Sequence, residues 1–326
     1  MGNEITLKTY SLTSFKFIRA YVLTMRPYLL FVSGITGIAG LAFAGSLNSI
    51  SFALIFTSSF LSYGFGQALT DCFQIDTDSI SSPYRPLTRG IVSRRHFLLV
   101  SVTGLSLCIA VFGIYNPLNL IFGILAGFGL YTYTFFKKKW WAGPFYNSWI
   151  VVCLFLMAFL AGTAGNRFPD PTLFILFTIL VFTGYANFVL AGYFKDTEAD
   201  KRTGYNTILV VYGRKISALI SDLFAVISCT IAGIIVLPEF LFNLSAFPGL
   251  LFLLAGIFNS FNGQIKLHRI EEDNDAHEAI SLVVHSYILL LSSVALILQP
   301  GWFLLLIVFY LSFNIVLKYR PCLNQV

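Results

Sequence analysis

The sequence predicts an all-α fold, a polytopic membrane helical bundle with about nine or ten transmembrane helices. Of its 326 residues, 57% are hydrophobic and only 11% are charged, whereas soluble domains average about 45–50% and 25%. The mean hydropathy is +0.79. Apolar stretches recur along the whole chain, each long enough to cross a hydrocarbon core of about 30 Å at 1.5 Å per helical residue. Lipid is therefore the expected solvent.

Ten stretches are predicted to span the membrane: 27–45, 51–70, 97–115, 117–136, 146–165, 172–193, 216–237, 245–264, 280–298 and 301–317. They are continuous and rich in Leu, Ile, Phe and Ala, unlike the alternating strands of a membrane barrel. We expect one domain over residues 1–326. Only the Gln299-Pro300-Gly301 break separates the last two stretches, so nine spans with a bent last segment is the alternative.

The basic residues predict the orientation, because Lys and Arg collect in cytoplasmic loops. Every Lys and Arg except Arg167 falls in the N-terminal arm, in an even-numbered loop or at the C-terminal end. This pattern predicts a cytoplasmic N-terminus and cytoplasmic motif-bearing loops. The net charge of +6 follows from these loops, and it indicates anionic membrane lipid rather than nucleic acid as a partner.

A cluster of acidic residues lies where the sixth span ends. Asp196 and Asp200 stand four positions apart, so on a helix they share one face and repel each other unless a cation lies nearby. Mg²⁺ typically binds through one or two carboxylates together with substrate phosphates. Lys195, Lys201 and Arg202 supply groups that bind anions beside them. This segment predicts a site for a metal and a phosphorylated ligand.

A second cluster, Asp71, Asp76 and Asp78, lies where the second span ends. If one helix runs through Asp78, then Asp71, Gln74 and Asp78 share a stripe. The prolines that follow end the helix and turn Arg85 back over its end. Both clusters fall on the same membrane face, so we expect them to converge on one site. A third acidic run, 271–278, is typical of solvated loop charge.

These residues resemble the UbiA family of intramembrane prenyltransferases. That family's second motif is a DxxxD pattern followed by Gly, Thr and a V-x-x-G run, and the similar residues here are Asp196, Asp200, Gly204, Thr207 and Val210 to Gly213. The stretch from Pro83 to Gly90 is similar to the family's PxRPLxxG pattern. Weaker similarities are Arg26-Pro27 and the pair Tyr133 and Lys137.

The first motif departs from the family's NDxxDxxxD pattern. An alignment without a gap places four residues on its Asn and three Asp: Thr70, Asp71, Gln74 and Asp78. One inserted residue instead places three residues on its Asn and last two Asp: Gln67, Asp71 and Asp76. Asp71 occurs in both alignments, and the choice between Asp76 and Asp78 stays open.

The resemblance implies Mg²⁺-dependent transfer of an isoprenyl group from a prenyl diphosphate to a lipophilic acceptor within the membrane. It implies metal ligands among Asp71, Asp76, Asp78, Asp196 and Asp200, of which Asp71, Asp196 and Asp200 are the expected catalytic residues. It also implies substrate-binding residues, namely Gln67, Arg85, Tyr133, Lys137, Tyr193, Lys195 and Lys201. Mg²⁺ and the Arg and Lys side chains would stabilise the departing diphosphate. The rings of Tyr133 and Tyr193 would stabilise an allylic cation.

Two other functions remain open. A UbiA-type terpene cyclase would act on a prenyl diphosphate without an acceptor, and the altered first motif is compatible with that activity. A transporter is disfavoured, since transporters carry charge near mid-span, whereas the charge here lies at helix ends. Neither the acceptor nor the donor chain length follows from the apolar spans.

Overall fold

The computed structural model describes residues 9–44, 47–163 and 170–320, and the statements below refer to these ranges. Its α-helices are α1 Phe15–Thr24, α2 Leu30–Leu41, α3 Ser49–Asp71, α4 Ile75–Ser81, α5 Arg94–Tyr115, α6 Leu118–Lys137, α7 Gly143–Gly162, α8 Pro171–Tyr193, α9 Thr197–Arg202, α10 Ile208–Phe242, α11 Phe247–Leu267, α12 Ala276–Leu298 and α13 Phe303–Lys318. Short 3-10 turns precede five of them: Pro27–Leu29, Phe194–Asp196, Leu244–Ala246, Asp273–Asp275 and Pro300–Trp302. The predicted all-α class is confirmed.

Nine helices in the described ranges are long and apolar enough to span a membrane, and a bent pair forms a tenth candidate. The bent pair joins Phe15–Thr24 to Pro27–Leu41 at 47°. The prediction of nine or ten spans is confirmed, although the first predicted stretch began at 27 and left out α1. Arg167, which the orientation argument placed on the opposite side, lies outside the described residues.

The bend between α1 and α2 is centred on Arg26, which has φ 53° and ψ 73°. This left-handed conformation costs an ordinary residue about 1–2 kcal/mol. The following Pro27 disfavours a right-handed helical conformation for the residue before it. As a result, the chain turns sharply and Arg26 comes to lie beside the end of α3, where its side chain is only 12% exposed.

The buried core of the bundle is centred on α12. Over an apolar stretch of 18 residues in each span, 78% of the residues are buried in the α12 span and 61% in the α7 and α8 spans. In the outer helices α3, α5, α6 and α13 the corresponding share is 22–28%. Their exposed residues are large and apolar, as Leu107 and Phe128 are, which fits lipid-facing surfaces. Small residues let helices approach closely. Gly40 of α2 is an example, because a Cβ added there would lie only 2.5 Å from the backbone oxygen of Phe155 in α7.

The segments at the charged end of the bundle are bonded to one another, and we call them the linked loops: α4, residues 138–142, residues 197–207 and residues 268–275. The Tyr205 hydroxyl donates to Asp76 of α4 at 3.1 Å. The backbone N–H of Asn206 donates to the Lys138 oxygen at 3.1 Å. Burial raises the pKa of Tyr205 to about 12, so its hydroxyl stays protonated and remains a donor.

Candidate active site

A large cavity lies inside the bundle, with an empty volume of about 1390 Å³ including its mouth. It is lined by α3, α5, α6, α7 and α8 together with Arg26, α4 and the turn before α9. Charged side chains gather at one end, where α3, α6 and α8 terminate. The remainder is an arm with mostly apolar walls. The cavity can thus accommodate a molecule that is anionic at one end and hydrocarbon at the other.

Asp71 closes α3 and is the central carboxylate of the charged end. It is 3% exposed and accepts a hydrogen bond from Gln67 Nε2 at 2.6 Å. Arg26 Nη2 lies 3.2 Å away and Arg85 Nη1 lies 3.6 Å away. Two cations and an amide therefore compensate this buried charge.

Asp78 belongs to α4, which is separate from α3. The condition for a shared stripe, one helix running through Asp78, is not met, because α3 ends at Asp71 and α4 begins at Ile75. Asp71, Gln74 and Asp78 nevertheless all line the cavity. Arg85 Nη1 contacts Asp78 Oδ2 at 2.5 Å. Burial raises the pKa of Asp78 to about 6, even though the Arg85 cation opposes that rise.

The two carboxylates of the second acidic segment, Asp196 and Asp200, lie in different environments. Asp196 ends the 3-10 turn after α8 and lines the cavity with Lys195. Asp200 lies one turn further, is 0% exposed and lies 3.5 Å from Lys137 Nζ. Lys137 and the Thr207 hydroxyl are its polar neighbours. Lys137 itself lines the cavity, so it connects the buried Asp200 to the charged end.

Two tyrosines lie where the charged end meets the apolar arm. The hydroxyls of Tyr133 on α6 and Tyr193 on α8 are 3.0 Å apart. Lys137 Nζ is 5.4 Å from the centre of the Tyr193 ring, a distance typical of a cation–π contact. A ring face in this position already stabilises a cation of the protein.

The apolar arm extends between α5, α6 and α7. Its lining includes Leu105, Ile109 and Phe112 of α5, Leu130 of α6, and Leu154 and Met157 of α7. Along α6 the lining runs from Lys137 to Gly123, which corresponds to about 21 Å at 1.5 Å per residue. Ala126 and Gly127 leave space on this wall, since a Cβ at Gly127 would meet no atom within 4 Å, whereas Gly123 lets Ile109 of α5 pack closely against α6.

Most of the predicted site residues meet in this cavity. Those that line it are Gln67, Asp71, Asp78, Arg85, Tyr133, Lys137, Tyr193, Lys195 and Asp196. Three do not: Asp76 is exposed and bonded to Tyr205, Asp200 is buried behind Lys137, and Lys201 is exposed on α9. Arg26 also lines the cavity, and its only signal in the sequence was the similarity of Arg26-Pro27 to the family.

The donor set at the charged end fits Mg²⁺. Within the described ranges, no three acidic, His or Cys side chains lie close enough together to hold one ion. Mg²⁺ does not require three, because it is usually bound through one or two carboxylates and substrate phosphates. Asp71, Asp78 and Asp196 line one cavity, and in this structure arginines compensate the first two of these charges. The residues therefore fit a metal that arrives with an anionic ligand.

The profile of the UbiA prenyltransferase family matches residues 30–283. The chain belongs to this family. A UbiA-family protein is an integral, multi-pass membrane protein, in agreement with the nine apolar helices of the described ranges.

Curated relatives and solved structures agree with this assignment. The digeranylgeranylglyceryl phosphate synthase of Sulfolobus acidocaldarius is 29% identical over 254 residues, covering 72% of this chain and 84% of that protein. The enzyme of the same name from Pyrococcus abyssi is 25% identical, over 65% and 75%. An apo UbiA homolog from Aeropyrum pernix has a TM-score of 0.67 at 16% identity, over 81% and 96%.

A UbiA homolog from Archaeoglobus fulgidus bound to DMAPP and Mg²⁺ has a TM-score of 0.61 at 17% identity, covering 83% of this chain and 99% of that one. At such identities the likeness to solved structures shows a shared fold.

Proposed function

We propose that this UbiA-family prenyltransferase catalyses the Mg²⁺-dependent transfer of an isoprenyl group from a prenyl diphosphate to a lipophilic acceptor within the membrane. The observation that supports this function is the single cavity in which a carboxylate- and cation-lined end opens into an apolar arm. We also propose that the whole chain is one domain, and that its N-terminus and linked loops are cytoplasmic.

In this mechanism the diphosphate lies at the charged end and the isoprenyl chain in the apolar arm. Asp71, Asp78 and Asp196 would hold Mg²⁺, which, when bound, neutralises charge on the departing diphosphate. Arg26 and Arg85 would exchange their carboxylate partners for phosphate oxygens. Preorganised cations of this kind stabilise the charge that develops as the C–O bond breaks.

The allylic carbon left behind carries positive charge until the acceptor attacks it. The Tyr193 ring lies at the junction of the two parts of the cavity and would stabilise that charge, at about 0.5–2 kcal/mol per ring contact. The apolar walls would keep water from the same carbon, so that transfer to the acceptor is favoured over hydrolysis.

The relatives suggest which acceptor to test first. The name digeranylgeranylglyceryl phosphate synthase denotes a product with two geranylgeranyl groups on glyceryl phosphate. A glyceryl phosphate lipid with one such group is thus the first candidate acceptor here, with geranylgeranyl diphosphate as donor. Polar groups at mid-cavity, including Tyr63, Asn147 and Tyr185, are available to bind its head group.

The first experiment replaces Asp196 by Asn and measures Mg²⁺-dependent turnover of labelled geranylgeranyl diphosphate with that acceptor. We expect turnover to be abolished while the melting temperature is retained. Glu198→Gln is the matched control, because Glu198 is a neighbouring carboxylate exposed to solvent. Full activity in Asp196→Asn would refute the proposed site. Asp200→Asn should also abolish turnover, but it leaves Lys137 buried without its carboxylate.

The same preparation tests the acceptor-free alternative, with which the altered first motif is compatible. Incubation with donor and Mg²⁺ but no acceptor would release a cyclic or linear terpene from a cyclase. Intact diphosphate would support prenyl transfer.

The orientation is tested by single cysteines in a cysteine-free background. Ser79 and Ser245 are exposed at opposite ends of the bundle. An impermeant thiol reagent should label Ser79→Cys only in inside-out vesicles and Ser245→Cys only in right-side-out vesicles. The reverse pattern would overturn the orientation.

A further inference from the structure

We infer that Asp273, in the loop before α12, is a positioning residue that caps α9 and thereby leaves the Asp196 carboxylate free for the cavity. The cap on α9 is a contact within the structure itself. The binding of a metal by Asp196 rests on the proposed function.

The helix that follows Asp196 needs a cap. The first N–H groups of any helix have no partner within it, and an Asp in the position before the first turn usually accepts one of them with its own side chain. Asp196 occupies that position for α9 but makes no such bond. It lines the cavity instead. Some other acceptor must take its place.

Asp273 supplies that acceptor from a distant part of the chain. Its Oδ2 accepts a hydrogen bond from the backbone N–H of Glu198 at 2.8 Å, across 75 positions of sequence. Its Oδ1 accepts from Arg214 Nη2, while Arg214 Nη1 donates to the Glu271 backbone oxygen at 2.6 Å. Asp273 is therefore oriented by Arg214 while it caps α9.

The position of Arg214 depends on the residue before it. Gly213 interrupts α10 with φ 76° and ψ 172°, a region that essentially only Gly adopts. A Cβ at Gly213 would meet no atom within 4 Å, so the backbone conformation, not crowding, requires Gly. The Gly of the V-x-x-G run thus bends α10 where Arg214 begins its contact with the loop before α12.

Loss of Asp273 would leave the Glu198 N–H without a partner. The Asp196 side chain is the local replacement, since an Asp before the first helical turn readily caps its own helix. A carboxylate engaged in this way is less available to a metal. We expect a three- to ten-fold weaker apparent Mg²⁺ affinity in Asp273→Ala, because a lost cap typically costs about 1 kcal/mol, which corresponds to roughly five-fold in an equilibrium constant.

The structural part is tested by hydrogen exchange on the full-length, metal-free protein in detergent. Amides in α9 should exchange at least three-fold faster in Asp273→Ala than in the unaltered protein. Glu271→Gln is the matched control, because it removes a charge from the same loop but retains the backbone oxygen that Arg214 uses. Asp273→Asn keeps an acceptor oxygen and should be intermediate. Equal exchange in the Ala variant and the control would overturn the capping role.

The functional part is tested by titration with Mg²⁺. In Asp273→Ala, the Mg²⁺ concentration for half-maximal turnover and that for half-maximal thermal stabilisation should both rise three- to ten-fold, with kcat at saturating Mg²⁺ within two-fold. A fall in kcat without a change in Mg²⁺ dependence would indicate a merely structural role and overturn the proposal. If no Mg²⁺-dependent turnover occurs even in the unaltered protein, the proposed function fails, but the exchange and thermal measurements still decide the role of Asp273.

Discussion

Replacement of Arg26 by Gln should change the affinities for metal and for diphosphate in opposite directions. In the metal-free site, Arg26 lies 3.2 Å from Asp71 and so competes with any cation that binds this carboxylate. The same guanidinium lines the cavity and would bind diphosphate oxygens. Its removal should therefore strengthen the binding of Mg²⁺ alone and weaken the binding of diphosphate alone.

The expected size follows from the geometry. At 3.2 Å and an effective dielectric constant of about 20, the Coulomb energy of the pair is about 5 kcal/mol. Desolvation and the remaining partners offset part of it, and close charge pairs measured by double-mutant cycles couple by about 1.5–7 kcal/mol. The lower value already corresponds to roughly a ten-fold change in affinity. Gln67 and Arg85 still contact Asp71 in the variant, so the carboxylate keeps its partners.

The assay is calorimetric titration of the purified protein with Mg²⁺ alone and with inorganic pyrophosphate alone. We expect about ten-fold tighter Mg²⁺ binding and at least ten-fold weaker pyrophosphate binding in Arg26→Gln. Arg19→Gln removes an equal charge from exposed α1 surface and should change neither. Weaker Mg²⁺ binding in Arg26→Gln, or no change in it, would refute the idea that this arginine holds the place of a metal.

Three further outcomes are expected. Lys137→Met should lower the free energy of unfolding by about 3–5 kcal/mol, because it leaves Asp200 buried without a counter-charge. Adding Asp200→Asn should restore most of this loss. Strictly additive shifts in melting temperature would contradict the coupling of the two residues. Tyr205→Phe should destabilise the protein by about 1 kcal/mol through the lost bond to Asp76 but leave Mg²⁺ affinity unaltered, and a clear loss of that affinity would identify Asp76 as a ligand instead. In the metal-free protein, the pKa of Asp78 is raised from 3.8 to about 6, so the folded state binds this proton more readily than the unfolded state. Stability should therefore rise as pH falls from about 6 to about 4. Denaturant titrations of Asp78→Asn should lack this rise in stability.

Hydropathy predicted the spans because any stretch of about 20 apolar residues must find a helical path through lipid. It did not predict the turns inside and beside those stretches. The bend at Arg26 depends on a left-handed conformation, and the interruption of α10 at Gly213 lies just before the predicted span 216–237. Both depend on contacts with distant segments, which hydropathy does not register.

The motifs predicted most of the residues that line the charged end of the cavity, but not the direction of each side chain. Asp196 and Asp200 were expected on one helical face, yet a 3-10 turn ends at Asp196, so the two carboxylates face different surroundings. The sequence left Asp76 and Asp78 as alternatives. The rotation of α4 places Asp78 in the cavity and Asp76 against Tyr205, a residue 129 positions away.

The acidic run 271–278 was interpreted as solvated charge, and most of its side chains are exposed. Asp273 is the exception, with 20% side-chain exposure and bonds to two other segments. Composition cannot separate one largely buried carboxylate from its exposed neighbours.

The linked loops also set how this end of the bundle moves. Tyr205, Asn206 and Asp273 each bond to a different segment, so none of these loops can open alone without breaking contacts with the others. Regions bonded in this way unfold locally as one cooperative unit. Hydrogen exchange should therefore show a single protection class across α4, α9 and the loops between them. If the proposed function holds, the charged end would stay rigid while hydrocarbon chains enter and leave past the lipid-exposed outer helices α5 and α6.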